Sequence, residues 1–185
     1  MAAAPEKTVL AEDGSIFTIS NLLTPGECAD LIQHAEARTF EPGLIGGFLV
    51  DPEARNNRLV MEDDTARASW LWERLAPFLP ERVGDLRAIG LNERLRYYRY
   101  EPGQYFRWHS DGSFVRSSTE RSLLTAMVYL NDDFEGGTTD FMDGPTVAPQ
   151  RGMALIFDHP LIHQGGDVIS GRKYVIRTDV MFRRE

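Results

Sequence analysis

The sequence predicts an α+β protein in which helices support a double-stranded β-helix, or jelly-roll, core. Two amphipathic helical segments lie in the first half of the chain, whereas short apolar strands separated by glycine and proline turns dominate the second half. That order of elements is typical of an α+β fold, and many short strands are typical of a jelly roll. We expect a single domain over residues 1–185, with helices and a loop at about 20–80 and the jelly-roll core at about 86–183.

Capping residues and apolar spacing predict the two helices. Residues 24–27 (Thr-Pro-Gly-Glu) form a capping-box pattern with proline at the first helical position. Apolar residues then recur at helical spacing, which predicts a helix from about Pro25 to Ala37 with His34 on its solvent-exposed side. A second helix is predicted from Asp64 to Phe78, with an apolar face formed by Ala68, Leu71, Trp72 and Leu75.

The segment between the helices is predicted to be a loop or an irregular hairpin. It runs from Glu41 to Arg58 and contains Gly43, Gly46, Gly47 and two prolines. A structureless loop of this length inside a domain is usually functional. We therefore predict that Gly43–Arg58 acts as a lid.

Alternating or continuous apolar runs predict the strands of the core. A continuous apolar run is typical of a strand that is buried on both faces, whereas alternation is typical of a strand with one solvated face. The predicted strands are Leu91–Tyr100, Leu123–Leu130, Thr138–Phe141, Met153–Phe157 and Tyr174–Phe182.

Composition narrows the class of partner and compartment. Twenty basic and 28 acidic residues give a net charge of −8, which does not favour binding to a nucleic-acid backbone. Cys28 is the single cysteine, so no intrachain disulfide is possible, and this fits a reducing compartment. No signal peptide or membrane span is predicted. We expect a cytoplasmic protein without a membrane partner, and the sequence sets no expectation for the oligomeric state.

The strongest functional signal is a potential metal site. His109 and Asp111 form an H-x-D pair, and His163 follows far along the chain. Residues two apart on a strand point to the same face, so one strand end can present both side chains to one ion. Two imidazoles and one carboxylate form the facial triad of non-haem Fe(II) oxygenases, which leaves coordination positions open for chemistry. We therefore predict that these three residues bind a metal ion.

Alternatives to this site remain open from the residues alone. His159 could replace His163 as a ligand, although Pro160 argues against a helix that carries both histidines. Zinc held by the same three side chains would support hydrolysis instead. The metal could also serve structure or sensing in a non-enzymatic jelly-roll protein, although structural sites are usually closed by four protein ligands.

A basic strand follows the second histidine. Lys173, Val175 and Arg177 share one face of the predicted strand, while Tyr174 and Ile176 form the apolar alternate face. Two cations on the inner face of a barrel would be unfavourable to bury without partners. A buried dicarboxylate co-substrate would attract these cations and so offset the free-energy cost of burying them.

Together these motifs resemble those of the iron(II)- and 2-oxoglutarate-dependent dioxygenases of the prolyl 4-hydroxylase-like superfamily. The similarity covers roughly Leu86 to Phe182. It is carried by Tyr100-x-x-Gly103 followed by His109-x-Asp111, by the Gly-Gly segment at 134–141, by Tyr129-Leu130-Asn131, and by His163 with Lys173 ten residues later.

The resemblance implies a co-substrate site and a reaction. His109, Asp111 and His163 would hold Fe(II), and Lys173 and Tyr129 would bind the far carboxylate of 2-oxoglutarate. Tyr100 belongs to the same expected site, and Arg172 is the alternative anchor because some relatives place an arginine one position earlier. The enzyme would consume O₂, hydroxylate an unactivated C–H bond, and release succinate and CO₂.

The substrate itself is less constrained by the sequence. Candidate contacts are Asn57 and Arg58 at the end of the predicted lid, and Trp108, Arg116 and Arg121 near the H-x-D pair. A peptidyl prolyl-type substrate is the first hypothesis, and a small molecule such as a free amino acid is the alternative. Substrate choice lies in loops, so the catalytic core does not separate them.

Overall fold

Two antiparallel sheets face each other in this protein, and two helices pack on the outer face of the larger sheet. The computed structural model describes residues 3–44 and 49–184. Its helices are α1 (Pro25–Glu36) and α2 (Thr65–Leu75), and α2 continues into a short 3₁₀ helix at Ala76–Phe78. The strands are β1 (Glu6–Val9), β2 (Ile16–Ser20), β3 (Glu41–Pro42), β4 (Arg58–Asp63), β5 (Arg82–Val83), β6 (Leu86–Leu91), β7 (Arg94–Tyr100), β8 (Phe106–His109), β9 (Glu120–Tyr129), β10 (Glu135–Gly136), β11 (Thr139–Phe141), β12 (Thr146–Val147), β13 (Ala154–Asp158), β14 (His163–Gly165), β15 (Val168–Ser170) and β16 (Lys173–Arg184).

The strand order is that of a jelly roll. Within the described residues, the larger sheet has ten strands in the order β1-β2-β13-β9-β16-β7-β4-β3, and β6 pairs with both β16 and β5. The smaller sheet has the order β12-β11-β14-β8, and β10 pairs with β15. Strands distant in sequence are neighbours in both sheets, as in the predicted double-stranded β-helix, and that fold class is confirmed.

Each face of the larger sheet has its own hydrophobic core. The outer core joins the sheet to α1 and α2 and includes Cys28, Leu31, Leu71, Leu75, Ala126 and Val128. The inner core lies between the two sheets and includes Met127, Tyr129, Phe141, Phe157 and Val175. Strand β9 therefore supplies successive residues to opposite cores, which is how a continuous apolar run becomes a strand buried on both faces.

Strand β16 shows the same alternation and carries the predicted cations inward. Tyr174 and Ile176 belong to the outer core, whereas Val175 belongs to the inner core. Lys173 and Arg177 flank Val175 on the inner face and line the cavity between the sheets. The period-two prediction for this strand is confirmed.

Both predicted helices are present. The α1 capping box forms, because the Glu27 amide donates to Thr24 Oγ1 (3.2 Å) and the Thr24 amide donates to the Glu27 carboxylate (2.9 Å). Asp64 caps α2 by accepting a hydrogen bond from the Arg67 amide (2.8 Å). His34 is not solvated as predicted, since it is half-buried against Glu62 and Arg67. Neither described helix has the length and apolar character needed to cross a membrane.

Two sequence predictions about the strands are wrong. The part of the chain before the jelly-roll core does not consist only of the predicted helices and loop, because β1 and β2 add an edge to the larger sheet through β13. The predicted strand Leu91–Tyr100 is two strands, since the chain turns at Asn92 and Glu93 between β6 and β7. The buried Asn92 side chain accepts a hydrogen bond from the Arg94 amide (3.2 Å), a local contact that stabilises the turn, and it also donates to Asp179 Oδ2 on β16 (3.1 Å).

The outer core gives a prediction about stability. Leu71 is 1% exposed at the helix–sheet contact. Leu71→Ala is expected to lower the free energy of unfolding by about 2–5 kcal/mol, because truncation removes buried apolar area and leaves a cavity. Urea unfolding measures the change. Val115→Ala is the control, because Val115 is 66% exposed and its truncation should change stability by less than about 0.5 kcal/mol. Equal effects of the two substitutions would contradict the described packing.

Candidate active site

Three side chains converge at the open end of the inner core. His109 lies at the end of β8, Asp111 follows two residues later, and His163 begins β14 directly opposite His109 in the strand register. Their candidate ligand atoms all lie within 4.8 Å of one another. Nε2 of His109 is 3.9 Å from Asp111 Oδ1, and Nε2 of His163 is 3.8 Å from Asp111 Oδ2. The arrangement matches the donor set of a facial metal-binding triad.

Hydrogen bonds fix both imidazoles in the tautomer that a metal requires. Nδ1 of His109 donates to the Arg107 carbonyl (2.7 Å), and Nδ1 of His163 donates to the Leu161 carbonyl (3.0 Å). Each Nε2 therefore carries a lone pair toward Asp111. Burial lowers the pKa of His109 to about 4, helped by His163, and burial also lowers the pKa of His163. Both rings are neutral at pH 7, as metal ligation requires.

Two side-chain hydrogen-bond donors contact the same oxygen of the Asp111 carboxylate. Its Oδ2 accepts a hydrogen bond from Thr125 Oγ1 (2.5 Å) and lies 3.1 Å from Arg177 Nη2. Burial raises the pKa of Asp111, but Arg177 and His163 outweigh it and bring the pKa to about 2. Asp111 is therefore ionised over the physiological range and kept in one orientation.

His159 supports this carboxylate and is not part of the described metal-binding group. Its Nε2 is 2.8 Å from Ser122 Oγ, and its Nδ1 is 2.9 Å from Thr125 Oγ1. The ionised Asp111 carboxylate can only accept, so the Thr125 hydroxyl donates to it and Thr125 Oγ1 accepts from His159 Nδ1–H. His159 Nε2 then accepts from the Ser122 hydroxyl. The structure thus gives His159 a positioning role and not the ligand role left open by the sequence.

Lys173 lies deeper in the same cavity. It is 1% exposed, and Nζ donates to the Gly137 carbonyl (2.6 Å) between the rings of Tyr100 (5.0 Å) and Tyr129 (5.5 Å). Burial lowers its pKa to about 7, although Asp140 acts in the opposite direction. Tyr129 Oη is 2.7 Å from Thr139 Oγ1. In the described chain Lys173 has no carboxylate within ion-pair distance, so its charge is available to an anionic ligand.

Arg172 points away from this cavity. It is exposed, forms an ion pair with Glu101 (2.9 Å) and donates to Tyr174 Oη (3.3 Å). Adjacent residues of a strand face opposite sides, so only one of Arg172 and Lys173 can reach the inner core. The geometry favours Lys173 as the anchor.

A cavity of about 790 Å³ opens beside two of the candidate ligands, His109 and Asp111. The wall next to the triad includes Tyr98, Phe106 and Arg177, which also line the cavity that holds Lys173. Arg55, Arg94 and Arg96 add positive charge to the larger cavity. This space can therefore hold a molecule that reaches both the metal-binding residues and a basic wall.

Only part of the predicted lid can be placed. Residues 45–48, with Gly46 and Gly47, lie outside the described residues. Leu44 and Arg55 of the predicted lid line the large cavity, and Arg58 already belongs to β4. Lid closure therefore stays a prediction.

The residues predicted to contact substrate do not line this cavity. Arg58 is exposed and donates to the Phe40 carbonyl (3.3 Å), whereas Asn57 is buried and accepts from Arg55 Nε (3.0 Å). Trp108 is 45% exposed because it neighbours His109 on β8 and faces the opposite side. None of the three therefore lines the large cavity, and their contact with substrate stays a prediction.

Arg116 and Arg121, also predicted to contact substrate, lie on the exposed surface of the described protein. Arg116 is exposed and pairs with Glu93 and with Glu120 (2.7 Å), so acidic neighbours already balance its charge. Arg121 is exposed near the start of β9. Neither lines the cavity beside the triad. Proximity in sequence to the H-x-D pair did not predict proximity in space.

Two neighbours of the triad were missed by the sequence reasoning. The Phe106 ring stacks on His109 (centroids 3.5 Å apart), although residues three apart on a regular strand face opposite sides. Phe106 pairs with Gly165 and His109 with His163, so β8 has one extra residue between these pairs. The β-bulge brings both rings to one face. Arg55 then lies over the Phe106 ring at 4.0 Å. No local sequence pattern signals either contact.

Comparison with known proteins agrees with this site. A family model described as the 2OG-Fe(II) oxygenase superfamily matches residues 95–178. A putative prolyl 4-hydroxylase of Acanthamoeba polyphaga mimivirus is 26% identical, over 86% of this chain and 71% of the relative. Prolyl 4-hydroxylase 1 of Arabidopsis thaliana is 32% identical, over 86% of this chain and 66% of the relative. The chain thus spans about two thirds of the length of these relatives.

Solved structures share the fold. A viral collagen prolyl hydroxylase from Paramecium Bursaria Chlorella virus-1, in a 2OG complex, has a TM-score of 0.65 at 24% identity, over 91% of this chain and 96% of that chain. A Pseudomonas putida prolyl-4-hydroxylase has a TM-score of 0.68 at 17% identity, over 92% and 93%. A Trichoplax adhaerens prolyl hydroxylase, in complex with a hypoxia inducible factor peptide fragment, has a TM-score of 0.73 at 15% identity, over 90% and 83%.

Substitution of His163 and of His159 tests which histidine is the distal metal ligand. His163→Ala is expected to abolish stoichiometric Fe(II) binding, because it removes one of three donors. His159→Gln is the matched control and should weaken binding by no more than about 10–100-fold, the range for residues that position a ligand. Anaerobic calorimetry with Fe(II) measures both affinities. Loss of binding in the His159 variant alone would assign the distal ligand to His159 instead.

Proposed function

Because the chain belongs to the 2OG-Fe(II) oxygenase superfamily, we propose that it hydroxylates an unactivated C–H bond of a prolyl-type substrate. The family uses Fe(II), 2-oxoglutarate and O₂ and releases succinate and CO₂. One observation in this chain supports the proposal above others: a facial triad and an unbalanced buried lysine line the same cavity. Membership of an oxygenase superfamily removes the support for a zinc hydrolase or a non-enzymatic metal protein.

The residues present fit the iron ion. Two neutral imidazoles and one ionised carboxylate converge, and they leave half of an octahedral sphere open. Bound there, iron would supply the oxidation chemistry that no amino-acid side chain provides. The chain's own contribution is to fix the donors: backbone carbonyls orient both imidazoles, and Thr125 and Arg177 orient Asp111.

The residues present also fit a dicarboxylate co-substrate. Lys173 would bind its distal carboxylate by a charge-assisted contact, which is worth about 1.5–3 kcal/mol. The Tyr100 and Tyr129 rings lie beside Nζ, and the cavity that Lys173 lines is also lined by the three metal-binding candidates. Lys173 therefore sets the direction in which the co-substrate lies.

A prolyl-type substrate is proposed from the relatives, several of which are named prolyl hydroxylases. One structural neighbour was solved with a peptide fragment, which supports a peptide as the first candidate. A free amino acid or another small acid is the second candidate. Arg55 in the wall of the 790 Å³ cavity favours that alternative, because a guanidinium with an unused donor suits a substrate that is itself anionic.

Anaerobic absorbance spectroscopy tests the proposed reaction class. Addition of Fe(II) and then 2-oxoglutarate to the protein should produce a metal-to-ligand charge-transfer band, because both ligands meet at an open site. On admission of air, succinate should form, and its yield should rise with a prolyl peptide or free proline. No band and no succinate with a fully metal-loaded protein would contradict the dioxygenase function.

Two adjacent cations provide a matched test of the co-substrate anchor. Lys173→Met should keep Fe(II) affinity but weaken 2-oxoglutarate binding by about 10–100-fold, because a charge-assisted contact is lost. Arg172→Met should leave both affinities within about twofold, since Arg172 faces Glu101 outside the cavity. Anaerobic titration of the absorbance band measures both affinities. The reverse pattern would assign the anchor to Arg172.

The lowered pKa of Lys173 predicts a pH dependence of the same affinity. Because the pKa is about 7 without ligand, the charged form that binds a carboxylate is complete below that value and is lost above it. Affinity for 2-oxoglutarate should therefore fall as pH rises from 7 to 9, by up to about tenfold per pH unit. Arg172→Met should show the same profile. A flat profile over this range would contradict the anchoring role of Lys173.

A further inference from the structure

Arg55 is a buried cation with an unused donor. Its side chain is 6% exposed, and Nη2 has no hydrogen-bond partner. Nε donates to Asn57 Oδ1 (3.0 Å), while Nη1 is 3.5 Å from the Leu44 carbonyl oxygen, a weak contact. Removal of a guanidinium from water without a compensating anion is unfavourable, so this arrangement points to a ligand that supplies one.

Among the residues that the structure describes, Arg55 has no acidic partner. In the described ranges no carboxylate lies within ion-pair distance of it, and residues 45–48 are Ile-Gly-Gly-Phe, without an acidic side chain. The other arginines of the same cavity are paired: Arg177 with Asp111 (3.1 Å), Arg96 with Asp179 (3.5 Å) and Arg94 with Asp63 (3.0 Å). Arg55 is thus the cavity arginine whose charge stays unbalanced.

Backbone contacts hold Arg55 at the metal-binding residues. The Arg107 amide donates to the Ala54 carbonyl (2.8 Å), and Arg55 forms a β-bridge with Phe106. Because His109 covers one face of the Phe106 ring at 3.5 Å, the guanidinium at 4.0 Å lies on the other face. One aromatic ring therefore separates Arg55 from a candidate metal ligand, and all three residues line the 790 Å³ cavity.

We propose that Arg55 binds a carboxylate of the substrate and thereby places the substrate beside the metal-binding triad. The free Nη edge matches a planar carboxylate, which can accept two parallel hydrogen bonds from it. The distal carboxylate of 2-oxoglutarate is not the ligand, because Arg55 does not line the cavity that holds Lys173. The inference rests on the proposed hydroxylase function and names its substrate class as carboxylic acids.

Carboxylate and amide pairs test this proposal on the unmodified protein. The probes are L-proline and L-prolinamide, N-acetyl-L-proline and its amide, and a prolyl peptide with glutamate or glutamine beside the proline. Calorimetry is carried out anaerobically with Fe(II) and 2-oxoglutarate present. In at least one pair the acid should bind about 10–100-fold more tightly than the neutral analogue. The pair that shows the preference distinguishes a free acid from an acidic peptide.

Arg55→Gln should abolish that preference, and Arg55→Lys should keep part of it because the charge remains while the planar fork is lost. Arg58→Gln is the matched control: it removes an exposed arginine three residues away, outside the cavity, and should leave the preference unchanged. Thermal unfolding checks that each variant is folded. If no acid binds better than its amide, or if Arg55→Gln keeps the preference, the proposal is overturned.

Failure of this proposal is distinguishable from failure of the proposed function. Conversion of 2-oxoglutarate to succinate without added substrate needs the triad and Lys173. Wild-type protein and the control Arg58→Gln should therefore show the same low rate. Succinate formation by the wild type without any acid preference would overturn the role of Arg55 alone, whereas absence of succinate in the wild type would overturn the hydroxylase function as well.

Discussion

Burial of two cations on one face of β16 determines how the rest of the site is built. Arg177 is balanced within the chain, since it lies 3.1 Å from Asp111 and 3.0 Å from Asp179. Lys173, four residues earlier on the same face, has a backbone carbonyl and two aromatic rings as its described neighbours and no carboxylate. One charge therefore organises a metal ligand, while the other is left for a ligand to neutralise.

The balanced cation belongs to a network that removes freedom from Asp111. Hydrogen bonds run from Ser122 through His159 and Thr125 to the carboxylate, and the carboxylate sets their direction because it can only accept. A carboxylate held in this way keeps its orientation without a metal. Because the Asp111 side chain is already ordered in the folded chain, the entropic cost of ordering it falls on folding and not on metal binding.

Periodicity in the sequence predicted those parts of the structure that follow from regular helix and strand geometry. The capping box predicted where α1 begins, and alternation on β16 predicted that Lys173, Val175 and Arg177 share one face. The sequence left Arg172 open as the alternative anchor, and its exposed position became visible only in the structure. The errors arose where regular geometry ends. A bulge in β8 places Phe106 beside His109. A backbone hydrogen bond from the Arg107 amide to the Ala54 carbonyl holds the neighbouring Arg55 at the site. Neither feature has a local signal, because both depend on pairing between distant segments.

The two unbalanced cations lie in different parts of the site, and this difference separates their ligands. Lys173 is 1% exposed in the narrow space between the sheets, where the proposed co-substrate, a slender dicarboxylate, would also reach the triad. Arg55 faces the wider cavity beside Phe106, which leaves more room for the proposed substrate acid. A substrate carboxylate at Arg55 would leave Lys173 to 2-oxoglutarate, so the two anions would not compete for one charge. In the proposed arrangement the co-substrate therefore lies at the inner cation and the substrate acid at the outer one.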